Sequence, residues 1–417
     1  MEKEYPIGKI RKVGESTMAT YYIDSLRGSE KNDGRSAEYP KPDLQTVLIQ
    51  PGDRICFARG RVFRRSLQLT GGTAEQPVLY TAYGEGPPPV FIGSEDVSDP
   101  ADWVEESPCI WRCRKPIDGD VGNFIFNQDE CTATLRWSEE ELCGQGDFYD
   151  SRFGEGNRHL DTYSPQRVLL YSESNPGEYY EHIEAAAYGV RILCRLDDHV
   201  IIDGLCFQNS GVHGVASDHG ADNVILRNCC IKNIGGVVWN RELKIRFGNG
   251  FEIWQYANDI LVENCTFQNI YDSCVTHQGP GAQTTPAQRF LCRGNTFDTY
   301  GMAAFEYRDK LPIDSIFEGN ICRNAGCGFA MLGEELPRRS EIWPQPMGHH
   351  VFLWRIEEAT EGGGVKIVDN HFGTAPVGSA IYSIIAKEAE AQIRLSNNEY
   401  APDDQYLTKG VFTYELQ

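Results

Sequence analysis

The sequence predicts an all-β protein, a right-handed parallel β-helix (a solenoid) with a β-rich insertion and long loops on one side. Two observations support this fold class. One short phrase recurs from residue 200 onward, and the strands that follow it alternate with a period of two residues. Helical repeats would need a period of 3.6 residues, which these segments lack.

The recurring phrase has an apolar start, a polar residue, a turn residue and then a second apolar group. Its copies are VIIDGLCF (200–207), VILRNCCI (224–231), ILVENCTF (260–267), FLCRGNTF (290–297), IFEGNIC (316–322), KIVDNHF (366–372) and IRLSNNEY (393–400). The turn positions 204, 228, 264, 294, 319, 369 and 397 are separated by 24, 36, 30, 25, 50 and 28 residues. The short steps fit one coil of three strands, and the longer steps fit coils that carry inserted loops.

A second short strand follows the phrase in most coils. These strands are HGVAS (213–217), GFEIW (250–254), CVTHQ (274–278), AFEYR (304–308) and GFAML (328–332). Stacking them predicts an inward column of Val215, Phe251, Val275, Phe305 and Phe329, and an outward column of Ala216, Glu252, Thr276, Glu306 and Ala330. At the turns we expect an asparagine ladder of Asn228, Asn264, Asn320, Asn370 and Asn397.

The rest of the chain divides around these coils. Residues 1–96 are predicted to form the N-terminal coils, and residues 97–190 break the rhythm as a β-rich insertion packed on the helix. Residues 191–417 form the main β-helix. Within it, residues 333–362 are predicted to be a long functional loop.

Charge and composition limit the partners. The chain has 39 basic and 60 acidic residues, a net charge of −21, so neither nucleic acid nor a membrane is an expected partner. A polyuronate would need a local basic groove working against this field, which favours a neutral glycan. The N-terminal MEKEYPIGKI has no apolar signal core, and the 14 scattered cysteines suit reduced thiols. We therefore expect a cytoplasmic protein, or a secreted one if the natural chain carries a leader.

Several segments resemble a known group of proteins. The opening YYIDSLRGSEKNDGRS and PGDRICFARG, the GDFYD and LYSESNPGEYY segments and the coil phrases are similar to right-handed parallel β-helix carbohydrate-active enzymes, the pectate-lyase-like superfamily. The closest local likeness is to polygalacturonase-type glycoside hydrolases. Residues 249–252 (NGFE) occupy the place of an Asp-Gly-Ile-Asp-like motif, and residues 271–274 (YDSC) that of a Gly-Asp-Asp-Cys-like motif.

Asn249 and Ser273 depart from those motifs, and the Gly-His-Gly and Arg-x-Lys elements of that group are not recognisable. The resemblance therefore implies the place of the active site more than its mechanism.

Three acids are the candidate catalytic residues, because glycoside hydrolysis needs two carboxylates. Glu252 and Glu306 share the outward column with Thr276 between them, so their backbones should lie roughly 9.6 Å apart, twice the strand spacing. This separation favours the inverting geometry. Asp272 enters one coil from Glu252, and that pair would suit either geometry. The acid/base pair is thus Glu252 with either Asp272 or Glu306.

Aromatic and hydrogen-bonding side chains surround these acids and are predicted to bind the sugar. The predicted substrate-binding residues are Arg246, Asn249, Trp254, Tyr271, His277, Gln278, Tyr307 and Arg308. His277 alternates with Thr276, so an inward position is its simplest assignment. Arg246 and Arg308 have a second interpretation as ion-pair partners of Glu252 and Glu306.

The leading hypothesis is a glycoside hydrolase that acts on an oligosaccharide or polysaccharide without a cofactor or metal. One alternative is a polysaccharide lyase that acts on a uronate-containing glycan, with Arg246, Arg308, Lys244 or Lys310 as the base. The other is a non-catalytic glycan-binding β-helix. The sequence leaves the sugar, the linkage and the oligomeric state open.

Overall fold

The computed structural model describes residues 18–152, 166–241, 244–327, 348–375, 379–400 and 408–414. In these residues three long parallel sheets wind together as a right-handed parallel β-helix, so the predicted fold class is confirmed. The repeat phrase supplies one strand to the first sheet and one to the second, with its turn residue at the corner between them. The second short strand of each coil then lies in the third sheet.

The bounds of the strands follow the coils. Sheet 1 contains Thr20–Ile23, Arg54–Ala58, Val78–Tyr83, Val200–Asp203, Ala221–Arg227, Ala257–Glu263, Gln288–Arg293, Ser315–Glu318, Val365–Val368 and Ile393–Ser396. Sheet 2 contains Val62–Phe63, Val90–Ile92, Cys206–Ser210, Cys230–Ile234, Thr266–Ile270, Thr296–Tyr300, Ile321–Ala325, His371–Phe372 and Glu399–Tyr400. Sheet 3 contains Leu67–Gln68, Ile192–Arg195, His213–Ser217, Phe251–Trp254, Ser273–Gln278, Ala303–Arg308, His349–Ile356, Ser379–Ile385 and Thr408–Tyr414.

In-register pairing stacks like side chains inside the helix. Phe91 stacks on Phe207 with ring centroids 5.5 Å apart, and Phe267 stacks on Phe297 at 5.1 Å. These rings are fully buried. Each such side chain contributes about 1.5–3 kcal/mol of burial free energy, so the core holds the coils in register.

The corners between sheets 1 and 2 use residues in the left-handed region. Asn228 and Asn264 have φ of 54° and 52°. A ladder of asparagines is present, as predicted. In some coils its asparagine lies one residue after the turn residue, because the side chain of the turn residue itself faces outward. The buried ladder joins Asn295, Asn320, Asn370 and Asn398 through side-chain hydrogen bonds of 3.0–3.1 Å.

A β-rich segment leaves the helix between Val90–Ile92 and Ile192–Arg195. One of its sheets contains Glu95–Asp96, Val121–Phe126, Cys131–Thr132 and Ile183–Ala187, and the other contains Trp103–Ser107, Ile110–Cys113, Thr134–Leu135, Asp147–Asp150 and Val168–Tyr171. The segment has its own apolar cluster around Phe124, Phe126 and Phe148. Val78–Tyr83 pairs directly with Val200–Asp203, so the helix continues across it.

The remaining elements are short. A hairpin of Val237–Asn240 and Ile245–Phe247 rises between sheets 2 and 3. The helices are Pro176–Tyr179 and Lys387–Glu390, with 3₁₀ turns at Pro100–Asp102, Asn127–Asp129, Glu139–Glu141 and Gly281–Gln283. Among the described residues, no helix has both the length and the apolar character needed to cross a membrane.

The prediction of one long loop over 333–362 is wrong in its second half, where His349–Ile356 is a strand of sheet 3. Phe305 pairs with Val351, which continues the inward column. Glu306 pairs with Phe352, which continues the outward column. From the sequence, GFAML (328–332) is predicted to be the strand that follows AFEYR in this sheet, because its residues fit the same period of two. Phe329, Ala330 and the first half of the predicted loop lie outside the described residues.

Candidate active site

The floor of the candidate site is the outward face of sheet 3. Glu252 pairs with Thr276, and Thr276 pairs with Glu306, so the two glutamates are two strands apart in one column. Their backbones are therefore roughly 9.6 Å apart. Two residues further along the strands, Trp254 pairs with Gln278 and Arg308 pairs with Trp354, which forms a second outward column.

A cavity of about 620 Å³ lies over these two columns. Its size falls in the usual range for small-molecule sites, about 300–1,000 Å³. Of the residues predicted from the sequence, Glu252, Asp272, Glu306, Arg246, Asn249, Trp254, Gln278 and Arg308 line it. The hairpin at 237–247 supplies a wall through Trp239, Ile245 and Phe247.

Glu252 is held in its ionised form. Its Oε2 accepts a hydrogen bond from Asn249 Nδ2 at 2.6 Å and lies 3.0 Å from His213 Nδ1. Burial alone would raise its pKa, but the charge of His213, the hydrogen bonds from His213 and Asn249 and the charge of Arg308 lower the pKa to about 2. Glu252 is therefore a carboxylate at neutral pH, suited to accept a proton.

The pKa of Glu306 is shifted in the opposite direction. Glu306 is 1% exposed, and burial raises its pKa above the ordinary value even though Arg308, Ser273, Trp354 and Thr276 oppose the change. Ser273 Oγ donates to Oε2 at 2.7 Å, and Trp354 Nε1 donates to Oε1 at 2.5 Å. These bonds fix the carboxyl group in one orientation, and the raised pKa suits a proton donor.

Asp272 and Arg246 lie at the edge of the cavity. Asp272 Oδ2 accepts the backbone N–H of Gly248 at 2.9 Å. Arg246 is almost fully buried and donates from Nε to Gly236 O at 2.6 Å and from Nη2 to Gly122 O at 2.8 Å. The bond to Gly122 ties the hairpin to the insertion, and the bond to Gly236 holds the guanidinium against the start of the hairpin.

Three predicted substrate-binding residues do not reach the cavity, and their assignment is wrong. His277 and Tyr307 belong to the inward positions of sheet 3 and are fully buried. His277 Nε2 bonds to Gln255 O, and burial lowers the pKa of His277 to about 4, while Tyr307 Oη bonds to Ser315 Oγ. Tyr271 packs beneath the Arg246 guanidinium, 4.8 Å from ring to cation.

The cavity is also lined by residues that the sequence did not assign to the site, among them His213, Trp239, Trp354 and Arg355. His213 begins the strand that pairs with Phe251–Trp254, and its contact with Glu252 joins two neighbouring coils. Trp354 and Arg355 are on the strand that was predicted to be loop. Among the described residues, no group of three or more His, Cys, Asp and Glu side chains is arranged to hold a metal ion.

Comparisons with known proteins support the fold. No protein-family model matches the chain, and no curated protein matches it by sequence. Among solved structures, XylC with xylose has a TM-score of 0.52 at 12% identity, over 91% of this chain and 63% of XylC, so the chain spans less than two thirds of that protein. A GH136 lacto-N-biosidase from Eubacterium ramulus gives 0.41 at 12% identity, over 92% of this chain and 67% of that one.

An alginate lyase from a Paenibacillus species gives a TM-score of 0.45 at 12% identity, over 92% of this chain and 96% of the lyase. At such low identity these likenesses concern the fold alone. The fold implied by the resemblance to β-helix carbohydrate-active enzymes is confirmed.

Proposed function

We propose that the protein is a glycoside hydrolase in which Glu306 is the general acid and Glu252 the general base. The observation that supports this is the opposite displacement of their two pKa values in one cavity, with the Glu252 value lowered and the Glu306 value raised. Two carboxyl groups whose environments separate their pKa values are the usual acid and base of such a reaction.

The reaction follows from these two protonation states. The Glu306 proton is transferred to the glycosidic oxygen as the bond from that oxygen to the anomeric carbon breaks. A water molecule attacks the anomeric carbon from the opposite face, and Glu252 takes the proton of that water. The two backbones are roughly 9.6 Å apart, so a small tilt of the side chains toward each other brings the carboxyl groups within the inverting window of about 6.5–9.5 Å and leaves room for this water.

The test uses aryl glycosides and polysaccharides with the variants Glu306→Gln, Glu252→Gln and Asp272→Asn. The panel includes xylosides, because XylC was solved with xylose. We expect Glu306→Gln to lower kcat by about 10²–10⁴-fold on poor leaving groups and far less on dinitrophenyl glycosides, which need no protonation. Glu252→Gln should lower kcat similarly on both. The matched control is Glu263→Gln, because Glu263 is an acid of sheet 1 that pairs with Arg293.

The same assay separates the alternatives. NMR of the first product should show the inverted anomer, whereas the retained anomer would favour Asp272 as the partner of Glu252. Products with the ultraviolet absorbance of unsaturated uronides would contradict the hydrolase and favour the lyase. If the wild type binds glycans without cleaving them and all three variants bind as the wild type does, the protein is a non-catalytic glycan-binding β-helix.

A further inference from the structure

Two cysteines are paired across neighbouring strands of sheet 2. Cys206 begins the strand Cys206–Ser210, Cys230 begins the strand Cys230–Ile234, and the two residues are partners in the parallel register. Both are thiols, and among the described residues no other two cysteines are partners in a strand pairing. Neighbouring strands are about 4.8 Å apart, so the Cα atoms of this pair lie within the range of about 4.4–6.8 Å that a disulfide bridges.

Both cysteines point to the outer face of sheet 2. The residues that follow them, Phe207 and Ile231, are fully buried inside the helix, so alternation turns Cys206 and Cys230 outward. Cys206 is 8% exposed, and Cys230 is half-buried. A small solute therefore meets the Cys230 sulfur before it meets the sulfur of Cys206.

A hydrogen bond between the two thiols makes them chemically unequal. This bond is the largest of the influences that raise the pKa of Cys206, burial raises that pKa further, and the charge of Lys232 opposes the rise. Gln208 Oε1, which lies 3.9 Å from Cys206 Sγ, is a second acceptor for the same S–H. Cys206 therefore keeps its proton, and Cys230 is the first of the two to ionise. Because the thiolate is the nucleophile, Cys230 is the sulfur that reacts first.

A second pair of cysteines in thiol contact is closed to solvent. Burial and the hydrogen bond between Cys229 and Cys265 raise the pKa of Cys265. The two residues are 3% and 1% exposed, and their sulfurs also donate to backbone carbonyl groups. A solute cannot reach either sulfur in the folded protein, so this buried pair is an internal control.

We propose that Cys206 and Cys230 form a reversible disulfide by exchange with a small-molecule disulfide such as oxidised glutathione. The Cys230 thiolate attacks one sulfur of the small molecule, which breaks its S–S bond and releases one thiolate. Cys206 then loses its proton to solvent and attacks the Cys230 sulfur, so the Cys206–Cys230 bond forms and the second thiolate leaves. The two cysteines are oxidised by two electrons, and the small disulfide is reduced to two thiols.

Such a bond would be readily reduced, and it would close a loop around a strand of the candidate site. Strands about 4.8 Å apart hold Cβ atoms further apart than the roughly 3.8 Å usual in disulfides, and a strained disulfide is more easily reduced. The two cysteines are 24 residues apart in the sequence, and the strand His213–Ser217 lies between them. Oxidation would therefore link the strands on both sides of the one that holds His213 beside Glu252.

The test follows the disulfide by peptide mapping. The folded protein is treated with oxidised glutathione, alkylated and digested with trypsin without reduction. Trypsin separates Cys206, in peptide 196–227, from Cys230, in peptide 228–232, which also contains Cys229. Fragmentation of the linked peptides assigns the sulfur that is bonded. The variants are Cys206→Ala and Cys230→Ala, with Cys229→Ala as the control, and thermal unfolding checks that each one is folded.

We expect peptides 196–227 and 228–232 to be joined in the wild type and in Cys229→Ala, and to separate when dithiothreitol is added. Cys206→Ala should hold glutathione on Cys230, whereas Cys230→Ala should take up at least about 10-fold less on Cys206, because that thiol keeps its proton.

Peptides that stay separate in the folded wild type would overturn the proposal, as would a bond from 228–232 to Cys265 or a bond between two chains. Equal uptake of glutathione by the two single variants would overturn the order of attack. These outcomes are independent of the proposed acid/base pair, because neither Cys206 nor Cys230 lines the cavity.

Discussion

Burial raises the pKa of Glu306, and the indole of Trp354 is one of the groups that oppose this rise. Its Nε1–H donates to Oε1 at 2.5 Å and stabilises the ionised form. In Trp354→Phe this donor is lost, so the pKa of Glu306 should rise further and the acid should stay protonated to higher pH. The basic limb of the pH profile of kcat/KM should therefore move to higher pH. The control Trp254→Phe, which removes an indole stacked on Arg308, should leave that limb in place; a shift in both variants would contradict this role of Trp354.

His213 has the corresponding effect on Glu252. Its charge is the largest of the influences that lower the pKa of Glu252 to about 2, and burial opposes them. In His213→Gln the pKa of Glu252 should rise, so the base would become protonated at higher pH and the acidic limb should move upward. The same pH profile checks this. His219→Gln removes a histidine whose side chain is 88% exposed, and it should not move the acidic limb.

The sequence predicted correctly that Glu252, Asp272 and Glu306 lie beside one cavity. For Glu252 and Glu306 the reason is the period of two, which places both on the same outward column. His277 and Tyr307 were misassigned, since both were chosen for their chemistry although their positions alternate inward. His213 was missed for the opposite reason: its pairing with Glu252 is a contact between coils, which residue types alone do not reveal.

The asparagine ladder is the element that fixes the corner between sheets 1 and 2. Asn320 donates to Cys292 O and to Asn370 Oδ1, and its own Oδ1 accepts from Asn295. Asn320→Ala should leave buried polar groups unsatisfied at about 1–3 kcal/mol each, and the free energy of unfolding should fall accordingly. Urea denaturation measures the change. Gln268→Ala, on the outer face of sheet 2, is the control, and equal losses in both variants would exclude a special role for the ladder.

The elements were predictable where the chain repeats itself. The phrase spaced at 24–36 residues predicted the stacked strands of sheets 1 and 2 from residue 200 to 322, because each coil buries the same kind of side chains. The step of 50 residues hid the strand His349–Ile356, whose place in sheet 3 depends on pairing with Ala303–Arg308. The β-bulge at Arg355, where the register shifts between Trp354 and Ile356, likewise has no sequence signature, since glycine is absent there.

For the whole molecule, the junction between insertion and helix makes stability depend on pH. Burial and the neighbouring charge of Asp150 raise the pKa of Asp120 from 3.8 to about 7, and burial raises that of Asp150 to about 6. Because folding favours the neutral form of each group, its contribution to stability is complete below the unfolded pKa and is lost as the pH rises toward the folded one. The loss is up to about 1.4 kcal/mol per pH unit for each group.

Asp120→Asn keeps an acceptor for the Val238 N–H, which now donates to Asp120 Oδ2 at 3.1 Å, but it carries no charge. The variant should therefore lose less stability than the wild type between about pH 4 and 7, roughly half as much if the two groups contribute equally. Urea midpoints across this range test the expectation. Asp314→Asn changes an exposed aspartate in a turn and should follow the wild type; a parallel decline in Asp120→Asn would show that the junction is not the cause.

The insertion is attached to the solenoid without interrupting it, since Val78–Tyr83 pairs directly with Val200–Asp203. It meets the hairpin wall through Asp120 and Arg246, while Glu252 and Glu306 belong to strands of the solenoid itself. An exchange of the insertion together with its hairpin would therefore replace one wall of the cavity and keep the strands that carry Glu252 and Glu306.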